Sequence, residues 1–223
     1  MAMEQRVSFG QAIGATGALV SSDIVIVLMT IAGIAAIATI IDVTAPSASN
    51  LLNIPVVVVQ YYVIRRLVDQ NELRSADRLG GFVAFFIAGL LTGLAMILGL
   101  VLLILPGIYL NARWTLVDAV VVAENRSATD AMGRSWEATK GNVLPIILAG
   151  LVISIPAVIG IVLLFAVAAG TQGDINQSVN LGLSAAINVM LYASQVVGWY
   201  FGVALYQMLL GEPAKAQLGE VFA

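Results

Sequence analysis

A chain of 223 residues that is 60% hydrophobic and 10% charged, with a mean hydropathy of +0.99, has too little polar surface to cover a water-soluble globule. Its formal net charge of −3 carries little alone, because in a multispan protein the sidedness of the charges holds the information. The absence of Cys and His excludes disulfides, thiolate chemistry, and the commonest general base and metal ligand together.

Met1 to Ser22 contains Glu4, Arg6 and Gln11 and has no compact apolar core ending in a small-residue cleavage site, so it does not read as a cleaved signal peptide. Ser8 and Gln11 have capping-box spacing and predict a short interfacial helix. The first span is expected over Ile24 to Ile41, as an uncleaved anchor, and the connection Asp42 to Asn50 contains no Lys or Arg. The second span, Leu51 to Val68, carries Asn53 and Gln60 and runs into Arg65, Arg66, Arg74 and Arg78.

The apolar run Gly81 to Ala123 would be about 64 Å long as one helix, roughly twice the hydrocarbon thickness. It must fold back, and Pro106-Gly107 is the expected turn, giving spans near Phe82 to Leu105 and Ile108 to Ala123. Gly89 and Gly93 form a Gly-x-x-x-Gly pair in the first of these, which permits close helix approach. After Arg126, Ser127 and Asp130 again have cap-like spacing. The helix they predict sets Ala128, Ala131, Met132, Ser135 and Trp136 opposite Asp130, Arg134, Glu137 and Lys140. That apolar face suits either the headgroup boundary or packing on the ends of other spans. Lys140-Gly141 supplies a basic last turn and a stop. Spans over Val143 to Ala169 and Leu183 to Leu210 complete the chain, joined by Gly170 to Asn180 without Lys or Arg.

All Lys and Arg residues except Arg113 then fall on one side. An even number of crossings between the basic flanks of the central run obeys the positive-inside rule, and Arg6 and Lys215 put both termini in the cytoplasm. The expected fold is an all-α, polytopic membrane bundle of six transmembrane helices plus two interfacial amphipathic helices, one integral domain over 1–223. A weak internal repeat relates units 8–68 and 127–210 around the central hairpin 81–123. Asn53 and Gln60 lie seven apart, as do Asn188 and Gln195, so each pair shares a helix face.

Arg113, Asn111 and Asp118 are the costliest polar residues in the apolar stretches. Arg113 and Asp118 are about 140° apart on a helix and pair poorly, whereas Asn111 and Asp118 share a face. Arg113 is expected about 8 Å below the outer turn, where it either snorkels and caps carbonyls near Pro106 or holds a lipid phosphate or anionic solute. Asn53, Gln60, Asn111, Asp118, Asn188 and Gln195 form a candidate polar seam, read as interhelical bonding or as a pathway. Arg134, Trp136 and Lys140 belong to the interfacial helix. Tyr61, Tyr62, Trp199, Tyr200 and Tyr206 suit anchoring at the cytoplasmic boundary. No catalytic residues, metal ligands or cofactor are expected.

Leu105-Pro106-Gly107-Ile108-Tyr109-Leu110, Arg113, Val120 through Ser127, Ala131-Met132-Gly133-Arg134-Ser135-Trp136 and Lys140-Gly141-Asn142 together resemble a bacterial family of multispan proteins. It is the family related to the membrane domain of glycerophosphoryl diester phosphodiesterases and to YciC-like inner-membrane proteins. Ala204 through Glu212 is similar to that family's closing segment, with Leu210 where a basic residue often stands. Some members are joined to a soluble catalytic domain, for which Gly211 to Ala223 is too short. The resemblance implies a non-enzymatic protein of the bacterial inner membrane, acting in lipid or membrane organisation or as the partner of another protein. Membrane lipids, a protein partner and no nucleic acid are the partners expected. The alternative is a small transporter or lipid translocator that uses the polar seam.

Overall fold

A computed structural model of the chain describes residues 6–102, 104–170 and 181–211. The expected outer connection at 171–180 and Lys215 lie outside those residues. Among the described residues all regular structure is helical: α1 (Phe9–Ser22), α2 (Ile24–Thr44), a 3-10 helix (Pro46–Leu52), α3 (Asn53–Gln70) and α4 (Phe82–Leu102), followed by α5 (Ile104–Trp114), α6 (Val117–Glu124), α7 (Ala128–Ala138), α8 (Val143–Gly170) and α9 (Leu181–Leu209). Among the described residues five stretches are long and apolar enough to cross a bilayer: Ile24–Thr44, Pro46–Gln70, Phe82–Val101, Val143–Val167 and Leu181–Leu209. The chain is a multi-pass membrane protein.

The sixth predicted span takes a different form. Ile108 to Ala123 is divided between α5, of 11 residues, and α6, of 8, which rise only about 16 and 12 Å. The helix breaks at Thr115 and Leu116. The helix boundary also differs from the expected one: α4 runs to Leu102 and α5 begins at Ile104, so Pro106 sits inside the first turn of α5, where a missing N–H costs no intrahelical bond.

Two compact units divide the chain, one drawing on Met1–Gly17, Tyr61–Gly150 and Tyr200–Ala223, the other on Ala18–Gln60 and Leu151–Trp199. The first is organised around α6, which is apolar all round and buried all round: Val117 and every residue from Ala119 to Ala123 are inaccessible. The loop before α4 closes its end, with Ser75 N–H donating to Ala123 O at 3.0 Å and Gly80 N–H to Val122 O at 2.9 Å. These are the carbonyls that a helix C-terminus leaves without partners. Asn125, at φ 49°, ends α6 in the left-handed conformation that Asn tolerates.

The α4–α5 hairpin is tight because two glycines meet: a Cβ on Gly99 would lie 3.1 Å from Gly107 Cα. Close approach therefore occurs there and not at Gly89 and Gly93, where an added Cβ meets nothing within 4 Å. The capping box at α1 forms in full, and at α7 the Ser127 side-chain half of the cap forms. Ser8 N–H donates to Gln11 Oε1 at 2.9 Å while Gln11 N–H donates to Ser8 Oγ at 3.3 Å. At α7, Asp130 N–H donates to Ser127 Oγ at 3.3 Å. Gly141, at φ 79°, follows α7, and Asn142 Oδ1 accepts Val7 N–H at 2.7 Å, which ties the N-terminal segment to the start of α8.

Four of the five aromatics expected as boundary anchors are instead buried: Tyr61, Trp199, Tyr200 and Tyr206, with only Tyr62 exposed. Their polar tips explain this for two of them. Tyr61 donates to Gly80 O at 2.8 Å, and the Tyr206 hydroxyl lies 3.3 Å from Ser75 Oγ and 3.4 Å from Glu124 Oε1. A phenol with internal partners no longer needs water.

In the second unit, Pro156 lies inside α8 and the next N–H, that of Ala157, donates to Ser194 Oγ on α9 at 3.0 Å. A proline in a membrane helix is tolerated when a neighbouring side chain takes up the freed backbone group. An apolar cavity of about 370 Å³ lies between α2 and α9, lined by Ala32, Ala36, Ile40, Leu181, Ala185 and Val189 among others.

Candidate functional site

The break between α5 and α6 strands carbonyls that a continuous helix would have used, and three hydroxyls reach them. Thr115 Oγ1 donates to Asn111 O at 2.7 Å. From α7, Ser135 Oγ donates to Arg113 O at 2.8 Å and Thr139 Oγ1 to the same oxygen at 3.3 Å. Ser135 and Thr139 are fully buried. The buried face of α7, formed by Ala128, Ala131, Ser135 and Thr139, therefore packs on protein.

The Arg113 side chain lies at the same contact between α5 and α7. It is 4% exposed, with its guanidinium carbon 4.2 Å from the centroid of the Trp136 ring and 5.9 Å from that of Tyr109. Tyr109 and Trp136 meet edge to face with centroids 5.9 Å apart, and Trp114 lies 6.0 Å from Trp136. The guanidinium is held by ring faces, and its Nε is buried without a hydrogen-bond partner. Burying a cation that cannot shed its proton is costly, and cation–π contact returns only about 0.5–2 kcal/mol. Tyr109 was legible, since it precedes Arg113 by four residues and shares its face. Trp136 was known only as an amphipathic-helix residue.

Outside the spans, Glu124 gathers the exposed cations. Arg126 Nε bonds its Oε2, and Arg134 Nε lies 3.5 Å from Oε1. The Glu124 carboxylate pushes the Arg126 guanidinium further above its ordinary value. Arg134 and Lys140 are exposed and Trp136 is half-buried.

The predicted polar seam is dispersed. In the first unit Asn111 is exposed and Asp118 half-buried, and the helix break between them destroys the seven-residue phase that would align them. In the second unit Asn53 is exposed and donates locally to Asn50 O at 3.1 Å, Gln60 is half-buried and Gln195 exposed. Asn188 alone is buried, and its partners are others: its amide reaches Asp42 Oδ2 at 2.8 Å, Thr39 Oγ1 at 3.2 Å and Ser184 Oγ at 3.3 Å. Ser49 Oγ donates to Asp42 Oδ1 at 2.8 Å. Asp42, expected to open an outer loop, is thus the acceptor at the centre of a part-buried polar cluster, and its partner Asn188 is 146 residues away.

The family described as the membrane domain of glycerophosphoryl diester phosphodiesterase matches residues 84–219, a stretch that contains α5, the helix break, α7 and the Arg113–Trp136 contact. No curated protein and no solved structure matches the chain. The match covers more than half of the sequence, and the chain belongs to the membrane-domain family of glycerophosphoryl diester phosphodiesterase.

Proposed function

We propose that this is a non-enzymatic protein of the bacterial inner membrane that organises lipid or serves as the membrane partner of another protein. The observation that carries this reading is the closed packing of α6: the segment that a pathway would have to line is buried in protein from Val117 through Ala123 except at Asp118. A closed apolar helix at the centre of the unit suits a scaffold better than a route for solute. The test is purification in native lipid followed by mass spectrometry of lipid and protein. A stoichiometric protein partner or one enriched phospholipid class is expected. Gradient-driven uptake of a solute by proteoliposomes holding only this chain would overturn the reading in favour of a transporter or lipid translocator, for which the part-buried Asp42–Asn188 cluster is the supporting feature.

The topology proposed with it has six crossings, α5 and α6 together making the fourth, and both termini in the cytoplasm. Support comes from the bonds of Ser75 and Gly80 to the end of α6, which bring the basic flank before α4 and the one after α6 to the same end. Serine N-caps at Ser8 and Ser127, each accepting the N–H three residues on, support a parallel repeat. In this Cys-free chain single substitutions report sidedness cleanly. Ser47→Cys is expected to react with an impermeant thiol reagent in intact cells, whereas Ser75→Cys and Thr129→Cys react only after permeabilisation. The reverse pattern would invert the orientation.

A further inference from the structure

The Arg113 guanidinium lies almost wholly out of water. Among the described residues no carboxylate stands in salt-bridge contact with it, and Nε has no acceptor. Such a group is stable only when something supplies negative charge. The aromatic rings supply part of it through their faces, at 4.2 Å for Trp136 and 5.9 Å for Tyr109. Stacking of this kind occupies the flat side of a guanidinium and leaves its in-plane N–H groups to seek acceptors.

We infer that Arg113, caged by Trp136 and Tyr109, is a receptor for a phosphate group. Deepening the lipid-organising reading on which it rests, the inference assigns that reading a contact point. Three features select phosphate. The guanidinium fork matches two oxygens of a tetrahedral anion and holds them with charge-assisted bonds. The backbone beneath it is fixed, because Ser135 and Thr139 clamp the Arg113 carbonyl, so the fork is oriented before the anion arrives. Tyr109, 42% exposed, is the more accessible of the two rings that face the cation, so the cage has a side open to a ligand. The phosphate can come from a phospholipid headgroup or from a free phosphate, and the chemistry of recognition is the same.

The test uses the full chain. Purified protein is titrated with inorganic phosphate against chloride at equal ionic strength, and in parallel is placed in nanodiscs of phosphatidylglycerol or of an uncharged galactolipid. Tryptophan fluorescence, thermal stability and bound phospholipid by native mass spectrometry are read in the wild type, Arg113→Gln and Arg113→Lys. The wild type is expected to respond to phosphate and to retain phospholipid at about ten times the occupancy of Arg113→Gln, the loss expected when a charge-assisted bidentate contact disappears. Arg113→Lys, with charge but no fork, falls between them. Response to both probes identifies a phosphate site independent of the lipid tail, and response to phosphatidylglycerol alone identifies a headgroup site. Response to neither probe in the wild type, a measurement that needs no variant to fold, overturns the inference, as does equal retention in all three proteins. Trp136→Phe assigns the fluorescence change to this cage. Loss of the phosphate response leaves the organising reading standing, while solute transport would remove that reading and leave the phosphate site intact.

Discussion

Gly80→Ala is expected to lower stability by about 3 kcal/mol or more, in the range reserved for backbone strain and lost buried hydrogen bonds. A Cβ built on Gly80 lies 1.9 Å from the carbonyl oxygen of Val121 and 2.7 Å from its carbon. Both are backbone atoms of a fully buried helix, so no side chain can turn aside. Relief requires the loop to move off α6, and that breaks Gly80 N–H to Val122 O at 2.9 Å and Tyr61 Oη to Gly80 O at 2.8 Å. Tyr61 is also fixed by edge-on contacts with Phe82 and Phe85, so the damage extends to the start of α4. Gly81→Ala is the control: nothing lies within 4 Å of its Cβ position, and a change within about 0.5 kcal/mol is expected. Heating the two variants in detergent and measuring the monodisperse fraction separates them. Equal midpoints would mean that the loop does not lie against α6.

The long apolar helices were legible because a bilayer imposes a length and a composition that hydropathy reads directly. Ile24 and Val143 open their helices where expected, and α3 and α9 depart from expectation by about two residues at either end. Caps were legible for a similar reason: Ser8 with Gln11 and Ser127 with Asp130 are contacts three residues apart, contained in the local sequence. The division of the sixth span was not. Hydropathy sees Ile104 to Ala123 as one apolar run, while the break is stabilised by Ser135 and Thr139, more than twenty residues away. Arg113 was legible as an anomaly, since an ionisable residue in an apolar run demands an explanation. The explanation needed Trp136, and side-chain pairing between α5 and α7 leaves no periodic mark. Polar residues were overgrouped for the same reason. A seven-residue spacing aligns two side chains only on an unbroken helix, and Asp42, which holds Asn188, looked like part of a loop.

Removing both hydroxyls that clamp α7 to the helix break is expected to cost more than the two single losses together. Ser135→Ala leaves Thr139 Oγ1 at 3.3 Å from the Arg113 carbonyl, and Thr139→Val leaves Ser135 Oγ at 2.8 Å. Each single variant therefore keeps one donor on the oxygen and should lose about 0.5–1.5 kcal/mol, the net worth of one hydrogen bond. In the double variant a carbonyl that cannot continue the helix is left in a dry interior, and the desolvation penalty of about 1–3 kcal/mol falls due. The coupling between the sites is thus expected to be about 1 kcal/mol or more, with the double variant the less stable. Thr139→Val keeps the side-chain shape, and its hydroxyl also bonds Ser135 O at 2.8 Å, so part of its single cost lies within α7 itself. Thermal midpoints of the four proteins give the cycle, and tryptophan fluorescence provides a second reading, because loosening α7 moves Trp136 off the Arg113 guanidinium. Strict additivity with unchanged fluorescence would mean that another donor reaches the Arg113 carbonyl. The cage would then owe its geometry to the helices around it and not to these two hydroxyls.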